Sequence, residues 1–156
     1  PGRTGVDMKP QTVGRLSRIR NIIGIKEATG DLARLTHLKP LVSPGFILLS
    51  GDDETAFDFI KHGGHGEISV TANICPAEVA KMCEFIFAGE LEAAKAIHDG
   101  LMPLHKALFL EANPIPVKWA LAQLGRCGDT VRLPLTPLDE KFQKQVLTAM
   151  SRCELL

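Results

Sequence analysis

Apolar residues follow two rhythms along this chain, and the change of rhythm divides it. In the first part, short β-branched or Leu-rich runs alternate with helical stripes. Asn21-Ile22-Ile23-Gly24-Ile25-Lys26 predicts a short buried parallel strand. A second strand is predicted at Phe46-Ile47-Leu48-Leu49, entered through Ser43-Pro44-Gly45. A third is predicted at Gly66-Glu67-Ile68-Ser69-Val70, entered through Gly63-Gly64-His65. Between them, Asp31 is placed to cap a helix carrying Leu32, Leu35 and Leu38. Asp53 is placed to cap one carrying Ala56, Phe57 and Ile60. Strand and helix alternating at this spacing is the βα repeat of a parallel sheet or barrel.

After residue 75 the strand signals stop. Pro76 suits a first helical turn, and Val79, Cys83 and Ile86 give that helix an apolar face before Gly89. From Glu90 onward, Ala94, Ile97, Leu101, Leu104 and Leu108 step by three and four, the stripe of a long helix with a bend expected at Pro103. Asn113-Pro114-Ile115-Pro116 breaks it and starts another helix, Val117 to Leu124, ended by Gly125. Pro134 and Pro137 mark an extended link. Asp139 then begins a last helix with Phe142, Val146 and Ala149. The chain is expected to divide into an α/β part at residues 1–89 and a helical domain at 90–156.

The three strand ends deliver polar residues: Lys26 and Thr29, then Ser50-Gly51-Asp52-Asp53, then Ser69, Thr71 and Asn73. Active sites of parallel α/β folds lie at that end. Helix capping accounts for Asp53 and for Thr71 or Asn73, but not for Lys26. A lysine at the end of an apolar strand either snorkels to water or stays desolvated, and desolvation disfavours its ammonium. A neutral amine in a dry pocket attacks carbonyl carbon and forms a Schiff base.

Composition narrows the function classes. Eighteen basic residues balance eighteen acidic ones, so no strong field recruits nucleic acid or an anionic membrane. The apolar runs are a handful of residues long, against about 20 for a membrane span. There is no signal-peptide pattern at the start. The four cysteines, Cys75, Cys83, Cys127 and Cys153, have neither CxxC nor zinc spacing. Free thiols in a reducing compartment are expected, hence a cytoplasmic protein. His62-Gly63-Gly64-His65 looks like a metal pair but precedes the third strand, opposite the end carrying Lys26. Asp52-Asp53 lacks the third carboxylate or phosphate loop of a magnesium site. His98 and His105 lie seven apart on one helix and are assigned to packing or partner contact. Ser50 has no nucleophile-elbow context.

The ordered series IIGIKEATGD, LLSGDD, GGHGEISVTAN and EANPIPVKWAL, preceded by GRTG, resembles the dihydrodipicolinate synthase family. That family belongs to the Schiff-base-forming aldolase superfamily that includes N-acetylneuraminate lyase. The resemblance runs from Arg3 to the C-terminus. It implies a TIM (β/α)8 barrel, of which this chain carries the last three strand–helix units plus a C-terminal α-helical domain. It also implies roles for four residues. Lys26 matches the lysine that condenses with pyruvate, and Arg3 matches the arginine that binds the carboxylate of aspartate semialdehyde. Gly51 and Ile68 match positions lining the pyruvate site, where family members use backbone groups. No metal or organic cofactor is implied, and the intact family forms homotetramers.

The chain also departs from the family. A whole barrel needs about 250 residues, and this chain has 156 and does not open with Met. The family's tyrosine proton relay and pyruvate-orienting threonines lie upstream of the matched motifs, and this chain contains no tyrosine. A fragment of a longer enzyme is therefore expected, with weak or no turnover on its own. The other readings are a different pyruvate-dependent aldolase of the same superfamily, or a non-catalytic folded module whose barrel-lining face pairs with another chain.

Overall fold

The computed structural model describes residues 4–153, in which seven α-helices and two β-strands follow one another. The chain forms two compact units, one through Ser69 and one from Val70. The helix at residues 76–88 packs with the long helix after it. It thus belongs to the second unit, although the apolar rhythm alone grouped residues 1–89 together.

In the first unit, α1 (Pro10–Leu16) is followed by β1 (Gly24–Glu27), α2 (Leu32–Leu38), β2 (Ile47–Ser50) and α3 (Ala56–Lys61). The short helix α1 was not expected. It opens with Pro10 in its first turn and buries Val13. β1 and β2 pair in parallel, with Gly24 opposite Ile47 and Glu27 opposite Ser50. Period-two geometry puts Ile25, Glu27, Leu48 and Ser50 on one face and Gly24, Lys26, Ile47 and Leu49 on the other. Leu48 and Ile25 pack with Val13, Leu35, Leu38, Phe46 and Phe59, so the helices cover the first face. Asp31 caps α2 as expected, accepting from the Ala33 N–H at 2.9 Å.

The predicted third strand is reduced to a single parallel bridge between Ser50 and Glu67. Ser50 N–H donates to the Gly66 carbonyl at 2.9 Å and Ile68 N–H to the Ser50 carbonyl at 2.8 Å. Beyond Ser69 the backbone leaves the extended region, and Thr71–Asn73 form a 3-10 turn. The ladder stops after one rung because the chain curls there.

The second unit holds α4 (Pro76–Ala88), α5 (Leu91–Ala107), α6 (Ile115–Gln123) and α7 (Glu140–Arg152). Pro76 sits in the first turn of α4, and Gly89 ends that helix at φ 80°, a left-handed conformation that a Cβ would strain. Pro103 lies inside α5, which continues through it. Asp139 caps α7 through the Lys141 N–H at 3.0 Å. Leu101, Leu104, Leu108, Trp119, Val146 and Met150 form the centre of one continuous core. Thr71 and Asn73 do not cap α4: the Thr71 hydroxyl meets His105 Nδ1 at 2.7 Å, and the Asn73 amide donates to the Val70 carbonyl. His98 and His105 are buried with ring centroids 5.6 Å apart, in the packing role expected for them.

Candidate active site at the carboxyl ends of the strands

Lys26 is the third residue of the four-residue strand β1, on the face that the helices leave uncovered. Its side chain is exposed. The dry surroundings expected for it are therefore not supplied by the described residues. What the chain does supply is a position. A Cβ built on Gly51 would lie 2.5 Å from Lys26 Cε and 2.8 Å from Lys26 Cγ. The lysine stem thus lies directly across the Gly51 backbone, in space that any other residue at 51 would fill.

Backbone hydrogen bonds fix this arrangement. Gly51 N–H donates to the Glu27 carbonyl at 2.7 Å, extending the ladder one step past β2. Ile68 N–H is held by Ser50, the residue before Gly51. Three of the four expected site residues, Lys26, Gly51 and Ile68, are thereby gathered at one edge of the sheet. The Ile68 side chain is 49% exposed. Because both N–H groups are committed to the ladder, the polar main-chain groups that Gly51 and Ile68 can offer a ligand are their carbonyls. Arg3 lies outside the described residues.

Two groups at this edge escaped the reading of the sequence. Arg34, from the first turn of α2, reaches Glu27 Oε2 with its Nε at 3.3 Å. Its other nitrogens donate to Asp7 at 2.8 Å and to the Met8 carbonyl at 2.6 Å. One guanidinium thus ties the segment after Arg3 to the end of β1, and the second oxygen of the buried Glu27 accepts from Thr29 N–H at 2.8 Å. The spacing from Glu27 to Arg34 carried no signal, since the strand–turn–helix geometry that joins them is tertiary.

Glu67 is the second. Both of its carboxylate oxygens are buried and neither has a hydrogen-bond partner. Burial, reinforced by the charges of Asp53 and Asp52, pushes its acid up to about 8 from an ordinary 4.5. It is therefore mostly protonated at neutral pH. Its bridge to Ser50 places it on the helix-covered face, away from Lys26. The sequence offered no clue, since the apolar residues of that predicted strand, Ile68 and Val70, alternate with Glu67.

The cap expected of Asp53 is provided instead by Asp52, whose carboxylate accepts from the Thr55 N–H at 3.1 Å and its hydroxyl at 2.7 Å. Asp53 is buried and accepts from the Ser69 hydroxyl. The turn after Gly51 presents the earlier carboxylate to the helix start and turns the later one inward. His62 and His65 do not converge: His62 Nδ1 lies 2.7 Å from the Asp58 carbonyl, and His65 Nδ1 accepts from Leu48 N–H at 3.0 Å. Among the described residues no group of three His, Cys, Asp or Glu side chains is arranged to hold a metal ion. None of the described helices is long and apolar enough to cross a membrane.

A lysine laid over a glycine at the carboxyl edge of parallel βα units defines an α/β protein of the kind whose chemistry is built on strand ends. The particular family follows from comparison. Residues 1–153 match the model of the dihydrodipicolinate synthetase family, and the chain belongs to that family. It is 56% identical over 156 residues to the 4-hydroxy-tetrahydrodipicolinate synthase of Saccharophagus degradans, covering 100% of this chain and 54% of that protein. The crystal structure of dihydrodipicolinate synthase from Thermotoga maritima superposes with a TM-score of 0.96 at 39% identity, over 100% of this chain and 54% of the other. The Acinetobacter baumannii enzyme, solved in complex with pyruvate, gives 0.95 at 43% identity, again over 100% and 54%. The chain thus spans about half the length of the relatives it matches.

Proposed function

We propose that this chain carries the Schiff-base lysine of a 4-hydroxy-tetrahydrodipicolinate synthase, a lyase of lysine (diaminopimelate) biosynthesis acting on pyruvate and aspartate semialdehyde. The observation that carries the reading is the Lys26 stem lying across Gly51, on the uncovered face of the sheet and at its carboxyl edge. The family membership and the pyruvate complex of a relative support it.

In this reading the Lys26 amine adds to the ketone carbon of pyruvate, and water leaves to give an imine. The imine draws electrons from the adjacent methyl group, which loses a proton and becomes an enamine. The enamine carbon bonds to the aldehyde carbon of aspartate semialdehyde, whose oxygen takes up a proton and stays as a hydroxyl. The amine of that substrate then attacks the imine carbon, closes the ring and releases Lys26. Arg3 holds the carboxylate of the aldehyde substrate through a two-pronged guanidinium contact. The carbonyls of Gly51 and Ile68 line the pyruvate end. Arg34 is a positioning residue, because it anchors the segment that follows Arg3. The lysine is its own electron sink, so the reading calls for no metal or cofactor.

The chain represents three βα units and the helical domain of a (β/α)8 barrel. The rest of the barrel supplies the proton relay and the walls that desolvate Lys26, so the 156-residue chain alone turns over weakly or not at all. A homotetramer in the cytoplasm is the setting this reading gives the intact enzyme.

Incubation of the intact enzyme with pyruvate and borohydride, followed by peptide mass spectrometry, tests the assignment. A reduced pyruvyl adduct on Lys26 is expected, and its absence overturns the reading. Aldehyde acceptors lacking a carboxylate distinguish a related pyruvate aldolase, which would accept them.

A further inference from the structure

Along α7, Lys141, Lys144, Thr148 and Arg152 recur at steps of three and four, a stripe along one side of the helix. Against it, α5 and the turn beyond bring Lys106, Ala107 and Leu110. The two segments enclose an open cleft of about 470 Å³, a size typical of small-molecule sites, roughly 300–1,000 Å³. Its floor is apolar, formed by Ala107, Leu110 and Ala149. Four cations line it, and no carboxylate does.

That concentration is local, since the chain as a whole is neutral. Lys141 is partly neutralised by Asp139 at 2.7 Å. Among the described residues, Lys106, Lys144 and Arg152 have no ion-pair partner. Helix-dipole compensation accounts for Lys106 and Arg152, which lie in the last turns of α5 and α7. It does not account for Lys144 in mid-helix. It disfavours Lys141, which sits in the first turn, where the dipole repels a cation. Like charges gathered around an apolar floor are mutually unfavourable unless an anion joins them.

We propose that the α5–α7 cleft binds a small organic anion bearing at least two carboxylate or phosphate groups on an apolar skeleton. The skeleton lies on Ala107 and Leu110, Arg152 takes one anionic group in a fork, and Lys106 and Lys144 take the other. The site is built wholly within the second unit and is independent of Lys26.

Titration calorimetry of the intact enzyme with citrate, fructose 1,6-bisphosphate and inorganic phosphate tests this. Citrate or the bisphosphate is expected to bind at least about tenfold more tightly than inorganic phosphate, and more weakly as salt rises. Preference between the first two tells a polycarboxylate site from a phosphate site. The double variant Lys144→Gln/Arg152→Gln is expected to lose about tenfold or more in affinity, while Lys95→Gln, whose cation pairs with Asp99, leaves it unchanged. Trp119 fluorescence and circular dichroism verify that the variants remain folded. Lys144→Arg keeps the charge and is expected to retain binding. Failure of both organic probes to bind below about 10 mM, or equal affinity in the double variant, overturns the proposal. Borohydride trapping on Lys26 is unaffected by either result.

Discussion

The two compact units solve the burial problem to different degrees. The second wraps four helices around one core, with Leu104, Leu108, Val146 and Met150 fully buried. The first covers one face of a two-stranded sheet and leaves the other face, with Lys26 on it, open. Ile23 is 70% exposed and Ile68 49%. The helical core is closed on itself even though Phe87, Phe109 and Leu133 stay exposed at its surface, whereas an uncovered sheet face and an unpaired strand edge call for more chain. The chemistry we assign sits on the incomplete unit. A reactive amine must face a space that substrate can enter, and a barrel places that space at the carboxyl ends of its strands.

Four experiments sharpen or break this contrast. Lys26→Ala in the intact enzyme is expected to abolish the borohydride-trapped adduct without lowering the melting temperature, since it removes an amine that the barrel walls desolvate. A persisting adduct would move the chemistry elsewhere. Gly51→Ala is next: its methyl would sit 2.5 Å from Lys26 Cε, and displacing the amine by about 1 Å is expected to slow trapping by about a hundredfold. Trapping at the native rate would show that the close approach is incidental.

In the closed unit, Leu104→Ala is expected to cost about 2–5 kcal/mol of unfolding free energy. The exposed Ile23→Ala is expected to stay within about 0.5 kcal/mol. Urea titration followed by Trp119 fluorescence for the first and circular dichroism for the second reads both. Comparable losses would erase the distinction between the units.

The pH dependence of stability turns on Glu67. Below pH 4.5 the acid is protonated in folded and unfolded chains alike and costs nothing. Between 4.5 and about 8 the unfolded chain ionises first, so stability falls as pH rises, by about 3 kcal/mol at neutrality. Above 8 the folded form ionises too and the penalty levels off. Glu67→Gln should remove that slope and stabilise the chain at pH 7. A pH–stability curve identical to that of the parent would show that Glu67 is solvated.

Much of the fold was legible because local chemistry and burial agree there. The stripes of α5 and α7, the caps at Asp31 and Asp139, Pro76 and Gly89 all act within a few residues of one another. The third strand failed for the opposite reason. Gly66-Glu67-Ile68 has the right residues for a strand, but the hydrogen bonds that define one come from Ser50, and only one rung forms. Asp52 and Asp53 are equally good caps in composition, and the turn after Gly51 chose between them. At the site, the motif residues pointed to Lys26, Gly51 and Ile68. Arg34 and the buried Glu67 carry no motif and became visible only through their contacts.

The order of residues by itself determined which segments coil, where they stop, and that one lysine stands at the end of an apolar strand. Tertiary structure alone decided which face that lysine occupies and which glycine lies beneath it. It also decided which carboxylate is paired and which is stranded without a partner. Periodicity and capping are interactions between near neighbours, so the chain encodes them directly. Facing, desolvation and charge pairing depend on residues far apart in sequence, and they come into being only when the strands align.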